Sequence, residues 1–459
     1  MSAVRGPAGA ARLPVFYGWV VVAVAFVTMS VGVNARTAFS LLYPPILDEF
    51  GWDRATTAAA FSIGFIASTF YSPFIGVVMD RLGPRYVLPI AAVTVSAGMI
   101  LATWVSQPWH LYLTLGVLVG TSVMLTYIGH SMFLPNWFVR RRGLAIGIAF
   151  SGVGVGSILL LPWLQRLIDE QGWRAACWAL AALLLVVVLP LNFFFQRQRP
   201  EELGLTPDGD ASTGTSPDKP AAGDNVVDQT WAATEWTLPL AMQTRRFWWL
   251  FTGFVSGLFV WYAVQVHQTK YLREIGFSAE SAAYALGLVA LIGIVGQILL
   301  GHLSDRIGRE WVWTFSFVGF GLCYLLLLAM RQRPWLSLMY LMVAAQGFLG
   351  YGITAVYAAI PSELFQGKRY GTIFGMLSLA SGLGAAAGPW ITGAIYDRTG
   401  TYTLAFWLAI GLCLVSIVCI WFAAPRKVRA VTGQIARLRA AGVIRSGQDP
   451  DLTFPRRTS

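Results

Sequence analysis

Long apolar segments alternate with short polar loops along most of the chain. Each of the twelve longest segments has roughly the 20 residues that an α-helix needs to cross the hydrocarbon core of a bilayer. The segments lie near residues 15–42, 55–79, 86–106, 110–133, 143–165, 173–195, 247–269, 281–303, 311–330, 335–358, 371–395 and 402–424. This pattern predicts an all-α membrane protein with twelve transmembrane helices.

One connection is much longer than the others and breaks the apolar pattern. Residues 196–244 are rich in Pro, Asp, Gly and Thr, which predicts a flexible hydrophilic linker. The linker separates an N-terminal six-helix half at 1–195 from a C-terminal six-helix half at 245–425. Residues 426–459 form a basic tail, in which we expect a short amphipathic helix around Val431–Leu438.

A short charged turn that contains glycine occurs once in each half. Gly76–Arg85 reads GVVMDRLGPR, and Gly301–Arg309 reads GHLSDRIGR. The same turn at the same place in two half-chains indicates that a six-helix unit has been duplicated. We therefore expect two pseudo-symmetric six-helix bundles.

Matched glycines extend this duplication into the helices themselves. Gly143 and Gly147 of the fifth segment recur as Gly371 and Gly375 of the eleventh. Glycines spaced four residues apart lie on one face of a helix, and their lack of a side chain lets two helices approach closely. We expect these four residues to pack helices against each other.

Composition and charge agree with a membrane protein. Only 12% of the residues are charged and 56% are hydrophobic, whereas a soluble domain has about 25% charged residues. The net charge of +11 comes from basic residues scattered between apolar segments, so no nucleic-acid-binding face is expected. Most Lys and Arg residues fall on one side if both termini are cytoplasmic, which predicts that orientation in a cell or inner membrane.

No enzyme, metal or cofactor site is expected. The four cysteines Cys177, Cys323, Cys413 and Cys419 all lie within apolar segments and lack the spacing of metal ligands. The glycine-rich stretch at 152–156 lies inside a spanning segment, where it cannot form a phosphate-binding turn. We find no nucleophile paired with a base.

The duplicated turn resembles the loop between helices 2 and 3, and between helices 8 and 9, of the major facilitator superfamily. The second copy lacks the final Arg at the family spacing, with Glu310 after Arg309. The stretch at 137–149, WFVRRRGLAIGIA, resembles a signature of the monocarboxylate and oxalate/formate carriers. The stretch at 393–402, GAIYDRTGTY, is similar to the connection between their helices 11 and 12. The resemblance implies a transporter in which two halves rock about a central site.

The two copies of the turn are expected to form a cytoplasmic gate. By pseudo-symmetry, Asp80 would face the start of helix 11 near Gly371, and Asp305 would face the start of helix 5 near Gly143. A carboxylate is favoured there by unsatisfied N–H groups and by the helix dipole. The arginines would add ion pairs, so the candidate gate residues are Gly76, Asp80, Arg81, Gly83, Arg85, Gly301, Asp305, Arg306, Gly308 and Arg309.

Ionisable residues within the predicted helices are few, and an intramembrane charge is by default a functional candidate. Arg36, His130 and His267 qualify, whereas no Asp or Glu falls inside any predicted helix. A planar guanidinium matches a carboxylate with two hydrogen bonds, so we expect Arg36 to anchor an anionic substrate. Alternatively, it lies at the outer water boundary near Tyr43 and Asp48.

The carboxylate carriers that the chain resembles have charged residues in helix 8, and the oxalate carrier has basic residues in helix 11. Here helix 8 has Gly293 and Gln297 instead, and helix 11 has no Lys or Arg. Anion binding would then depend on Arg36, the two histidines and neutral donors. Those donors, which could equally serve as packing residues between helices, are Asn34, Tyr127, Tyr262, Gln297 and Tyr351.

The resulting prediction is a secondary active transporter that moves a small organic anion, a mono- or dicarboxylate, by alternating access. An exporter of drugs or amphipathic metabolites is the first alternative, and a non-transporting membrane sensor is the second. The lipid bilayer is the expected environment, and a monomer satisfies every pattern described above. The substrate, the direction of transport and the choice between a coupled proton and a counter-anion are left open.

Overall fold

The computed structural model describes residues 16–52, 54–209 and 225–435. Twelve of its helices are long and apolar enough to cross a membrane, as predicted. The N-terminal half contains α1 (Tyr17–Phe50), α2 (Arg54–Leu82), α3 (Pro84–Ala102), α4 (Pro108–Trp137), α5 (Arg142–Gln171) and α6 (Trp173–Phe195). The C-terminal half contains α7 (Arg245–Glu274), α8 (Ala279–Ile307), α9 (Arg309–Met330), α10 (Leu336–Leu364), α11 (Tyr370–Thr399) and α12 (Thr403–Ala423).

Three of the helices that line the centre of the molecule, α1, α4 and α10, are irregular, and α4 contains a π-helical stretch at Tyr112–Val119. Helix α1 consists of three successive segments, Tyr17–Gly32, Asn34–Thr37 and Phe39–Phe50. Helix α10 contains a π-helical turn at Ala345–Leu349, which is followed by a 3₁₀ turn at Gly350–Gly352. Such turns change the direction in which the following side chains point, and they occur frequently at functional sites.

The two halves contact each other where α2 meets α11 and where α5 meets α8. A Cβ atom added at Gly76 would lie 2.1 Å from the carbonyl oxygen of Gly371, and one added at Gly147 would lie 2.5 Å from that of Gln297. A Cβ atom added at Gly143 would come similarly close to the carbonyl oxygen of Gly301, and one added at Gly375 would come similarly close to that of Ser72. These helices touch through their backbones, which no residue with a side chain would allow without moving them apart.

The described parts of the linker make specific contacts with the helices, and the flexibility expected from its composition stays a prediction. Residues 196–209 and 225–244 pack against the helices. The Trp231 indole donates a hydrogen bond of 2.7 Å to the carbonyl of Leu364, and the Trp236 ring contacts Phe365. These two tryptophan side chains attach this part of the linker to the bundle, which the composition of the linker does not reveal.

The tail packs against the linker and against the end of α8. Val226 of the linker forms an isolated antiparallel bridge with Arg429, and Gln434 donates to the carbonyl of Ile307 at 2.7 Å. The expected tail helix begins at Thr432, and its part beyond Ile435 lies outside the described residues. We call this end of the molecule, which carries the α2–α3 and α8–α9 loops, the repeat-loop end. The four cysteines are buried.

The backbone contact at Gly76 gives a prediction about stability. Gly76→Ala should lower the free energy of unfolding in detergent, since overpacking costs about 1–3 kcal/mol. Gly321→Ala is the matched control, because Gly321 of α9 has nothing within 4 Å of the added Cβ. The thermal midpoint of each purified variant is the measurement. Equal midpoints for the two variants would contradict the close approach of α2 and α11.

Candidate functional site

A cavity of about 360 Å³ lies between the two halves. Its wall is built by α1, α2, α4 and α5 on one side and by α7, α8, α10 and α11 on the other. Volumes of about 300–1,000 Å³ are usual for pockets that hold a small molecule. The lining contributes many hydroxyl and amide groups, from Thr37, Tyr127, Ser157, Tyr262, Gln265, Gln297, Tyr351, Thr354, Tyr357, Ser378 and Ser381.

Arg36 is the only charged side chain among the described residues that line this cavity. Its guanidinium lies over the Phe65 ring, 4.2 Å from the ring centroid, and interacts with the Tyr262 hydroxyl. The Nη1 atom is buried and has no hydrogen-bond partner, and no described carboxylate is within ion-pair distance of Arg36. A cation–π contact only partly offsets the cost of desolvating a charge, so the described residues leave this buried guanidinium incompletely compensated.

Four other predicted binding residues line the same cavity. Tyr127 comes from the N-terminal half, and Tyr262, Gln297 and Tyr351 come from the C-terminal half. The Gln297 Oε1 atom accepts a hydrogen bond of 2.9 Å from the Thr354 hydroxyl, which fixes the orientation of the amide. The structure therefore brings these predicted residues together around Arg36.

Three predicted residues do not line the cavity. Asn34 joins α1 to α5, since its Nδ2 donates to the Val153 carbonyl at 2.9 Å and its Oδ1 accepts from Ser157 at 2.8 Å. His130 is buried within the N-terminal half, and its Nδ1 contacts the carbonyl of Thr126.

His267, the third residue, lies near the C-terminal end of α7. Its ring nitrogens are 3.1 Å from the Tyr402 hydroxyl and 3.0 Å from the carbonyl of Pro389. It thereby connects α7 with α11 and with the start of α12. The contacts of Asn34 and His267 join neighbouring helices, whereas His130 contacts a carbonyl of its own helix, α4; a direct role of these three residues in binding stays a prediction.

Several lining residues were not anticipated from the sequence, chiefly Phe65, Trp261, Thr354, Tyr357 and Ser381. The signal that could have found them is their spacing from predicted residues on the same helix. Thr354 lies three residues after Tyr351, and residues three or four positions apart share a helix face. Phe65 was missed because it is apolar, although it shares a face of α2 with the buried Thr69 and Ser72.

The duplicated turns contact the starts of the pseudo-symmetric helices, and the predicted hydrogen bonds are present. Asp80 accepts from the backbone N–H of Gly371 at 3.0 Å and from that of Thr372 at 2.8 Å. Asp305 accepts from the N–H groups of Gly143 at 2.9 Å and Leu144 at 3.0 Å. Each carboxylate satisfies two donors that a helix leaves free at its start. The repeat-loop end is thereby closed in this structure.

The second turn is reinforced by a buried charge network that the sequence did not reveal. Arg309 contacts Asp305 at 2.6 Å and Glu363 at 2.8 Å. Glu363 also lies 3.7 Å from Arg142, which belongs to the other half. Two acids and two bases balance, as burial of charges requires. Nearby, burial and the positive charge of Arg142 lower the pKa of the tail residue Arg429 to about 10.

Several helices extend beyond the predicted apolar segments and include acidic residues near their ends, among them Glu363 of α10. The predicted tenth segment ended at residue 358, whereas α10 continues to Leu364 and includes a buried Glu363. The apolar pattern could not show this, because Glu363 is polar. Its place in the helix depends on ion pairs with Arg142 and Arg309, which are distant in the sequence.

The arginines of the two turns are less involved than expected. Among the described residues, Arg309 alone of the four predicted gate arginines forms an ion pair, and no carboxylate pairs with Arg81, Arg85 or Arg306. Arg85 instead lies over the Phe193 ring at 5.1 Å. The turn glycines Gly83 and Gly308 follow helix ends with φ of +74° and +115°, a conformation that favours glycine.

A family model described as the Major Facilitator Superfamily matches the chain in two overlapping stretches, at residues 20–309 and 271–448. The chain belongs to the major facilitator superfamily. Membership indicates a multi-pass membrane transporter and not an enzyme. In the part of the chain that the structure describes, no group of three or more His, Cys, Asp or Glu side chains could hold a metal ion.

Similar sequences are found among monocarboxylate transporters. Human monocarboxylate transporter 12 is 29% identical over 433 residues, which cover 89% of this chain and 80% of that protein. Rat monocarboxylate transporter 13 is 27% identical and covers 86% of each chain. Human monocarboxylate transporter 11 is 27% identical over 89% of this chain and 83% of its own. The chain is thus related to these transporters at modest identity.

Two solved structures show the same fold. The proton:xylose symporter XylE has a TM-score of 0.68 at 14% identity and matches 92% of this chain and 99% of its own. The E. coli fucose:proton symporter FucP has a TM-score of 0.66 at 13% identity, over 88% and 98%. At these identities the likeness concerns the architecture alone.

The two carboxylates at the repeat-loop end should differ in how much they stabilise the protein. Asp305→Asn should lower the thermal midpoint more than Asp80→Asn, because it unbalances a buried charge network, a loss of about 3–5 kcal/mol. Asp80→Asn removes a charge–dipole interaction of about 0.3–2 kcal/mol. Thermal midpoints in one detergent compare the two, and the reverse order would contradict the structural role of the network.

Proposed function

We propose that this transporter carries a small organic anion, a mono- or dicarboxylate, whose carboxylate binds Arg36. The observation that supports this most directly is the unpartnered Nη1 atom of Arg36 in a cavity whose described lining has no other charge. The similarity to monocarboxylate transporters agrees with it. A carboxylate would complete two parallel hydrogen bonds with the guanidinium fork.

The chemistry of the lining favours an anion over a neutral cargo. An arginine near the bilayer centre costs at least about 2.5–3.5 kcal/mol, and here no described protein acid offsets this cost. A bound carboxylate would offset it, and the Tyr262 hydroxyl beside Arg36 would donate to the second oxygen. Neutral cargo would leave the guanidinium charge uncompensated.

Alternating access would proceed by separation of the halves at the repeat-loop end. The contacts to be broken are the four backbone hydrogen bonds of Asp80 and Asp305 and the pair between Arg142 and Glu363. We propose that the protein lies in a cell or inner membrane and that this end and both termini face the cytoplasm. Basic residues concentrate at this end, as they do on the cytoplasmic side of membrane proteins.

Uptake into proteoliposomes across a set of mono- and dicarboxylates, with and without a pH gradient, tests this function. We expect at least one carboxylate to be accumulated and its uptake to compete with other carboxylates but not with neutral analogues. Acceleration by an inward proton gradient would indicate a coupled proton, and acceleration by internal carboxylate would indicate exchange. Dye efflux without carboxylate uptake would overturn the proposal in favour of an exporter.

Arg36 gives the matching prediction at the level of one residue. Arg36→Ala should lower carboxylate uptake at least about tenfold, since hydrogen bonds to a charged group contribute about 1.5–3 kcal/mol each. Arg36→Lys keeps the charge but loses the fork, so uptake should fall less. Arg333→Ala is the control, because Arg333 is exposed in the loop before α10 and lies over Trp335. Normal uptake by Arg36→Ala, at equal amounts of protein in the membrane, would contradict the assignment.

A further inference from the structure

We infer that the substrate of this cavity is an aryl carboxylate, which has an aromatic ring attached to the carboxylate that Arg36 binds. The inference rests on the proposed function and narrows it. It is drawn from seven aromatic rings, three from the N-terminal half and four from the C-terminal half, which line the cavity together with Arg36: Phe65, Tyr127, Phe150, Trp261, Tyr262, Tyr351 and Tyr357.

The rings of the N-terminal half line one side of the cavity, and Phe65 is the one in contact with Arg36. Arg36 lies over the face of Phe65, and the Tyr127 ring meets the Phe150 ring edge to face with centroids 4.9 Å apart. Phe65 also contacts Tyr262 of the other half, with centroids 6.0 Å apart and planes at 83°. Aromatic rings of both halves therefore meet beside the guanidinium.

The rings of the C-terminal half form the opposite wall. Trp261 and Tyr351 lie with centroids 4.7 Å apart, and Trp261 is supported from behind by Phe320 at 5.4 Å. Rings held by such contacts are fixed surfaces, against which another ring can pack edge to face or offset.

Gly293 explains why this wall is aromatic. A Cβ atom added at Gly293 would lie 2.6 Å from Cδ1 of Tyr351, so the Tyr351 ring packs directly on the backbone of α8. Any larger residue would displace the ring. The position at which the resemblance to carboxylate carriers led us to expect a charge therefore makes room for an aromatic side chain.

Size and charge both favour an aryl group over the alternatives. A cavity of about 360 Å³ exceeds what an acid of two or three carbons fills, and aromatic side chains from both halves are among the residues that line the remaining space. Aromatic rings also bind quaternary ammonium groups. The face of Phe65 is already occupied by Arg36, however, and a second positive group in this cavity would be repelled by the guanidinium.

Matched pairs of acids test the inference on the unmodified protein. Benzoate against cyclohexanecarboxylate, and phenylacetate against cyclohexylacetate, have the same charge and nearly the same size and differ in the ring. We expect each aryl acid to inhibit uptake of a transported carboxylate at about three- to tenfold lower concentration than its cyclohexyl partner, the usual advantage of aromatic pairing over apolar contact.

Two variants assign this preference to the proposed wall. In Trp261→Leu and in Gly293→Ala, the cyclohexyl acid and its aryl partner should inhibit uptake at about the same concentration, a ratio of about one. Both acids should still inhibit. Trp335→Leu is the matched control, because Trp335 is exposed outside the cavity, and its ratio should equal that of the unmodified protein.

The outcomes separate the inference from the function beneath it. Equal inhibition by aryl and cyclohexyl acids, with carboxylates still transported, would overturn the inference and leave the proposed function intact. Stronger inhibition by a trimethylammonio carboxylate than by either aryl acid would also overturn it, in favour of a zwitterionic substrate. No uptake or inhibition by any carboxylate would overturn the proposed function itself.

Discussion

Contact between bare backbones at the repeat-loop end is the constraint on which the rest of the structure depends. Glycines at Gly76 and Gly143 let α2 reach α11 and α5 reach α8, and only at that distance can Asp80 and Asp305 accept from the first N–H groups of those helices. The same contact holds the halves around the central cavity. Hydrogen bonds to exposed helix ends are individually modest. On the proposed alternating-access mechanism, a closure built from a few such bonds would break and re-form in each transport cycle.

The two copies of the turn have diverged in the way they are supported. Asp80 is assisted by a single hydroxyl, that of Thr372, whereas Asp305 belongs to a network with Arg309 and Glu363 that reaches Arg142 of the other half. Buried charges are stable only in balanced sets, so removing any member leaves an uncompensated charge. The duplication thus provides a symmetric frame, and the charges added to one side make opening of that side the more costly.

The sequence could predict the twelve helices, the two halves and the facing of Asp80 and Asp305, because segment length and internal repetition are properties of the chain itself. It could not predict that Glu363 lies inside α10, since the helix is extended past its apolar segment by a charge network assembled from distant residues. Nor could it separate Tyr127, which lines the cavity, from Asn34, which holds α1 to α5. That difference depends on which way a side chain turns between two helices, and both residues have polar groups inside the membrane.

The single charge of the cavity also bears on how the carrier would move. When the halves rock about the central site, an empty carrier would enclose the Arg36 guanidinium away from water with no anion to compensate it, and a charge is costly in such a region of low dielectric constant. On the proposed function, a bound carboxylate cancels that charge, so the loaded carrier meets the smaller electrostatic barrier. The aromatic walls add no charge of either sign. Reorientation with substrate would therefore be favoured over return of the empty form by the same residue that selects the anion.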